Sequence, residues 1–132
     1  KGHIVTNMGL ESGEVPYTTF MMRKDTIENE PGFAAAFVRA IYRAQKWVWA
    51  AGDEEVAYAM QSYFPDTDIA TLSAVAKSYR ATDSWTRVPT MTEDAFTRLQ
   101  DILDGAGELA ARIELSELVD NSFGEAAISE IG

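Results

Sequence analysis

Residues 31 to 51, PGFAAAFVRAIYRAQKWVWAA, constrain the fold more than any other stretch. Phe33, Phe37, Ala40, Ile41, Ala44, Val48 and Ala51 recur at spacings of three and four, while Arg39, Arg43 and Lys46 fall on the other side. That period predicts an amphipathic helix with an aromatic-rich buried stripe. Pro31 suits its first turn, Asn29 or Glu30 its cap, and Gly52 is available to end it.

Further helices follow. Asp53 is placed to cap a shorter one, DEEVAYAMQSYF, whose acidic first turn suits the positive end of the helix dipole. PDTD breaks it, and Asp68 opens DIATLSAVAKSYRA, with Ile69, Leu72, Val75, Ala76 and Tyr79 on one face. TDSWTRVPTM has no period and contains a proline, so it reads as an ordered loop. Thr92 then caps a helix that buries Phe96, Leu99, Ile102 and Leu103, and Gly105 and Gly107 stop it. Ser122 and Glu125 have capping-box spacing for a last helix, SFGEAAISEI. The expected core includes Phe33, Phe37, Ile41, Val48, Leu72, Phe96, Leu99 and Phe123.

The first 24 residues differ. HIVTNM and YTTFMMRK are rich in β-branched and aromatic residues and are separated by GLESGEVP, so they read as two strands joined by a Gly-rich loop. An isolated strand pair is marginal in water, and nothing else in the chain reads as a strand. The imbalance points to a missing neighbour. The fold class expected is therefore mostly α with a short β element.

Composition excludes several functions. The 132 residues have a formal net charge of −10, which opposes binding to nucleic acid or to an anionic membrane. The absence of cysteine removes thiol nucleophiles, disulfides, thiolate zinc sites and iron–sulfur clusters. His3 is the only histidine, too little for a His-based metal site or a Ser-His-Asp triad without unusual partners. No run approaches the roughly 18 to 20 apolar residues of a membrane span. Neither a metal nor a cofactor is expected.

A set of local signatures in fixed order carries a resemblance. FMMRKD, TIENEPGFAAAFVRAIYRA, an acidic helix, YFPDTD, YRATDSW, MTEDAFTRLQDIL and ELVDNSF together resemble the C-terminal part of the SsuA/THI5-like (NMT1) solute-binding proteins of ABC importers. The resemblance implies a two-lobed α/β fold of the periplasmic-binding-protein type II class. Residues 1–24 would supply hinge or crossing strands, and residues 25–132 the helical C-terminal part of one lobe. It also implies hinge closure around a small organic nutrient, such as a thiamine-type pyrimidine or an aliphatic sulfonate. The partners implied are that ligand and ABC permease subunits, and the location is extracytoplasmic, either periplasmic or as a lipoprotein. Such proteins are about twice this length or more, so the chain is expected to be a fragment. A fragment exposes apolar surface, and self-association is one way of hiding it.

The candidate ligand-binding residues are Glu14, Tyr17, Thr18 and Thr19 beside the implied hinge, and Trp85 in the loop, where an aromatic serves either packing or contact. Glu11 and Ser12 lie in the same polar stretch. Trp47 and Trp49, at helical spacing, read as packing. The acidic pairs Glu54/Glu55, Glu93/Asp94 and Asp101/Asp104 read as helix-start or solvated carboxylates, and no catalytic residue is expected. Two alternatives to solute binding stand: an enzyme like the thiamine pyrimidine synthases, and an interaction or assembly domain that binds no small molecule. The cysteine-rich motif of the first is missing here.

Overall fold

A computed structural model describes residues 3, 5, 6 and 8–132. Its elements are all helical: α1 (Met8–Ser12), α2 (Lys24–Asn29), α3 (Pro31–Ala50), α4 (Asp53–Gln61), α5 (Ile69–Ala81), α6 (Glu93–Gly105), α7 (Leu115–Leu118) and α8 (Ser122–Ile131).

The expected β element does not form among the described residues. Met8 opens α1, and residues 14 to 22 lie outside any helix or strand. The first expected strand falls in part on residues 4 and 7, outside the described set. A strand is stabilised by a hydrogen-bonded neighbour, and a β-prone sequence without one stays an unladdered segment. Phe20 nevertheless anchors this segment to α3, its ring meeting Phe37 edge to face at 5.2 Å. At the upstream end Gly13 turns the chain with φ +77°. A Cβ there would lie 3.1 Å from Arg98 Cζ, and Arg98 Nη1 donates to the Glu14 carbonyl at 2.9 Å.

Helix α3 forms where the period predicts, with Glu30 as N-cap and Pro31 in the first turn. Its packed face differs from the expected one. Ala34 and Tyr42 are buried, with Val38, Gln45 and Trp49 half-buried on the same side, and this stripe meets α8 and the loop after α5. On the expected stripe Phe33 is 55% exposed, Ala40 and Ala44 are open, and Phe37, Ile41 and Val48 are half-buried. The helix is therefore apolar on two faces, and a helix of that kind is suited to lie between two layers. Among the described residues the second of those faces is left partly open.

Gly52 opens α4 instead of closing α3. It is the N-cap of α4, Asp53 is the first helical residue, and the Gly52 N–H donates to Glu55 Oε2 at 2.7 Å. α4 and α5 pack together through Val56, Ala57, Leu72 and Ala76, all buried. Asp68 caps α5, its carboxylate accepting the Thr71 N–H at 2.8 Å, and Thr92 caps α6 in the same manner. α6 ends in a Schellman motif: Glu108 N–H bonds the Leu103 carbonyl, Gly107 N–H bonds that of Asp104, and Gly107 has φ +75°.

Two side-chain amides hold irregular chain in place by imitating a backbone pair. Gln100, the buried polar residue of α6, accepts from Ile113 N–H at 2.9 Å and donates to the Ile113 carbonyl at 3.1 Å. Asn121 does the same to Met91, at 3.0 and 2.9 Å. Asn121 is also the N-cap of α8, but the capping is done by Asp120, which accepts the Ser122 N–H at 2.9 Å, so the expected Ser122/Glu125 box is not formed. Gly124 lets α8 press onto the 89–90 segment, where a Cβ would sit 2.4 Å from the Pro89 carbonyl oxygen.

The chain exposes 9739 Å². A compact monomer of 14.5 kDa would expose about 6,900 Å². The excess, roughly 2,800 Å² by that scaling, lies partly on the unladdered N-terminal segment, where Tyr17 is 98%, Met21 91% and Phe20 73% exposed.

Candidate functional site

The loop after α5 packs on α3 and shares with it the lining of two hollows. It begins just beyond α5, at Asp83, which has a left-handed φ of +50°. Trp49 Nε1 donates to the Trp85 carbonyl at 3.2 Å, and Gln45 Nε2 donates to Thr86 Oγ1 at 2.7 Å and to the Val88 carbonyl at 3.3 Å. The Trp85 ring packs edge to face on Tyr79 of α5, centroids 5.2 Å apart. Loop position is thus set by two side chains of α3 and one of α5.

The first hollow is a groove of about 300 Å³ between this loop, α3 and the N-terminal segment. Phe20, Ile41, Val48 and Trp85 give it apolar walls; Thr18, Ser84 and Thr86 add hydroxyls, and among the described residues no charged side chain lines it. Apolar walls with a few hydrogen-bonding groups are the general make-up of a small-molecule site. Gln45 also borders the groove. Its Oε1 is buried without a hydrogen-bond partner among the described residues, a costly state for a polar atom.

Among the five candidate ligand residues, Thr18 and Trp85 come together in this groove. The other three do not join them. Tyr17 is almost wholly exposed, Thr19 is exposed, and Glu14 is tied through its carbonyl to Arg98. Alternation along a segment without a helix separates Thr18 from Tyr17 and Thr19, because successive side chains point to opposite sides. Ile41, Val48 and Gln45 were not among the candidates. Their signal in the sequence was the apolar stripe of α3, which reads as core until the structure shows it facing a groove.

The remaining singled-out residues have structural roles. Trp47 is 45% exposed, in contrast to the packing expected of it, whereas Trp49 is fixed under the loop. Glu54 and Glu55 lie in the first turn of α4, Glu93 and Asp94 in that of α6. Asp101 and Asp104 both pair with Arg112, at 2.6 and 3.1 Å, and they hold its guanidinium above its usual pKa, Asp101 more than Asp104. Among the described residues no group of His, Asp and Glu could hold a metal ion. Among the described residues no helix is long and apolar enough to cross a membrane.

Comparison with known proteins adds one relationship. The chain is 36% identical over 129 residues to "Putative binding protein YtlA" of Bacillus subtilis (strain 168), and the alignment covers 98% of this chain. The chain spans 39% of that relative's length. No protein-family model matches the sequence, and no solved structure matches it.

Proposed function

We propose that these residues are the helical C-terminal part of an SsuA/THI5-like solute-binding protein that captures a small organic nutrient for an ABC importer. The observation that carries this reading is the similarity along 98% of the chain to a protein named as a putative binding protein, of which it spans 39%. The second apolar face of α3, left open here, supports it, because a further layer of a longer protein would cover that face. So does the uncharged groove at Thr18 and Trp85, which would form one wall of a ligand cleft closed by another part of the polypeptide. Residues 1–24 then act as the hinge, and residues 25–132 as part of one lobe. Capture proceeds by hinge closure without covalent chemistry, and delivery is to permease subunits on the extracytoplasmic side of the membrane.

The assembly-domain reading has an observation of its own in the exposed aromatic and aliphatic surface, which any docked polypeptide could cover. Ligand binding separates the two. The longer polypeptide that contains these residues is melted with pyrimidines, sulfonates, nitrate, bicarbonate and flavin precursors, and a ligand that binds the native state raises the midpoint by mass action. The solute-binding reading expects a saturable rise with one member of the panel and a loss of most of it in Trp85→Ala. A flat panel favours the assembly domain.

A further inference from the structure

The second hollow shares no lining residue with the first and is chemically unlike it. It measures about 330 Å³ and is lined by Lys46, Trp49, Ala50 and Arg87. We propose that this corner binds a small oxyanion, the phosphate, sulfate or carboxylate group of a small molecule, at the edge of the Arg87 guanidinium. It is independent of the groove at Trp85 and of the solute-binding reading.

Arg87 is held in a defined pose by contacts on either side of it. The Trp85 carbonyl and the Thr86 hydroxyl accept hydrogen bonds from α3 just before it, and the Val88 carbonyl does so just after. Its guanidinium carbon lies 3.5 Å from the centre of the Trp49 ring. The Trp49 ring is fixed in turn by its own N–H bond to the loop. A guanidinium lying against an indole uses its face for the aromatic contact and presents its N–H donors at the edge, the fork that matches an oxyanion.

That fork is not used internally. Among the described residues Arg87 makes no hydrogen bond, and its one ion-pair contact, Nε to Asp83 Oδ1, is 3.9 Å long, beyond hydrogen-bond range. Lys46 brings a second positive charge to the hollow. Its Nζ lies 3.5 Å from the Ile131 carbonyl and 5.8 Å from the centre of the Tyr42 ring. The formal net charge of the chain is −10, so its long-range field repels anions, and occupancy has to come from the local pair of cations and the fork.

The test is a titration of the longer polypeptide that contains these residues, ¹⁵N-labelled at tryptophan, with inorganic phosphate and with acetate, the ionic strength held constant with sodium chloride. The Trp49 indole N–H resonance is the reporter. The proposal expects a saturable shift in the millimolar range with phosphate or acetate that chloride does not reproduce. In Arg87→Gln the affinity falls at least about tenfold, since a charge-assisted forked contact is lost. Asp83→Asn removes the competing carboxylate and tightens binding, which gives a second reading if Arg87→Gln disturbs the loop. A shift that chloride matches, an unchanged affinity in Arg87→Gln, or weaker binding in Asp83→Asn overturns the proposal.

Discussion

Arg80 of α5 pairs with Asp53, the first residue of α4, and the same guanidinium donates to the Val48 carbonyl at 3.1 and 2.7 Å and to the Ala51 carbonyl at 2.6 Å. One side chain therefore satisfies carbonyls that the C-terminus of α3 leaves without helical partners and neutralises a carboxylate at the start of α4. The two side chains are 18% and 32% exposed, so water replaces this arrangement poorly. Arg80→Ala should lower stability by about 2–4 kcal/mol, because several charge-assisted bonds to partly buried acceptors are lost at once. Asp53→Asn keeps the carbonyl bonds and should lose about 1 kcal/mol. Urea denaturation of both variants measures the difference; equal losses would mean that the ion pair, and not the carbonyl cap, dominates.

Gly124 and Gly105 make a matched pair. A Cβ at Gly124 would meet the Pro89 carbonyl, whereas a Cβ at Gly105 meets nothing within 4 Å. Gly124→Ala should destabilise by about 1–3 kcal/mol through forced separation of α8 from the loop. Gly105→Ala should leave stability unchanged or raise it by up to about 1 kcal/mol, from the better helix propensity of alanine. The sign of each change, read from the denaturation midpoint, is the check.

At the end of α5, Asp83 occupies the left-handed position of a Schellman motif, with Ser84 N–H bonded to the Tyr79 carbonyl and Asp83 N–H to that of Arg80. Glycine adopts that conformation without a Cβ penalty. Asp83→Gly should raise the melting temperature, with a gain of about 0.5–1 kcal/mol. A fall instead would mean that the exposed contact to Arg87 matters more than backbone strain.

The Asp68 carboxylate is held below its usual pKa, first by the Thr71 N–H and then by the Thr71 hydroxyl. A depressed folded-state pKa contributes stability above the unfolded value, about 3.9, and loses it as pH falls through the folded value. Asp68→Ala should therefore melt lower than the parent at neutral pH, and the gap should close in acid. Melting curves at pH 7 and pH 2.5 test this; a constant gap would assign the effect to something other than the ionised cap.

Helices were the legible part of the fold, and the reason is local. The caps at Asp68 and Thr92 and the stop at Gly107 depend on residues within a turn of one another, so spacing alone places them. What failed depended on distant partners. YTTFMMRK has strand composition, but a strand needs a neighbour and none is available among the described residues. The α3 stripe through Phe33, Ile41 and Val48 has the period of a core face, yet the face that packs is the one through Ala34 and Tyr42, chosen by where α8 and the 84–88 loop lie. Thr18 and Trp85 stood out by type and position, whereas Gln45, which secures the loop between the two hollows, looked like any other helical glutamine. Its importance comes from contacts more than 40 residues away in sequence.

Hydrogen exchange tests most directly the claim that these residues are one part of a larger binding protein, with α3 lying between two layers. Amide exchange across residues 14–22 and 33–48 is compared in the 132-residue chain and in the longer polypeptide that contains it. The account predicts that 14–22, outside any helix or strand here, exchange freely in the short chain and become strongly protected in the longer one, with slower exchange along α3 as well. Equal exchange in the two proteins would contradict it, for it would mean that nothing covers the Phe20, Phe37 and Val48 face.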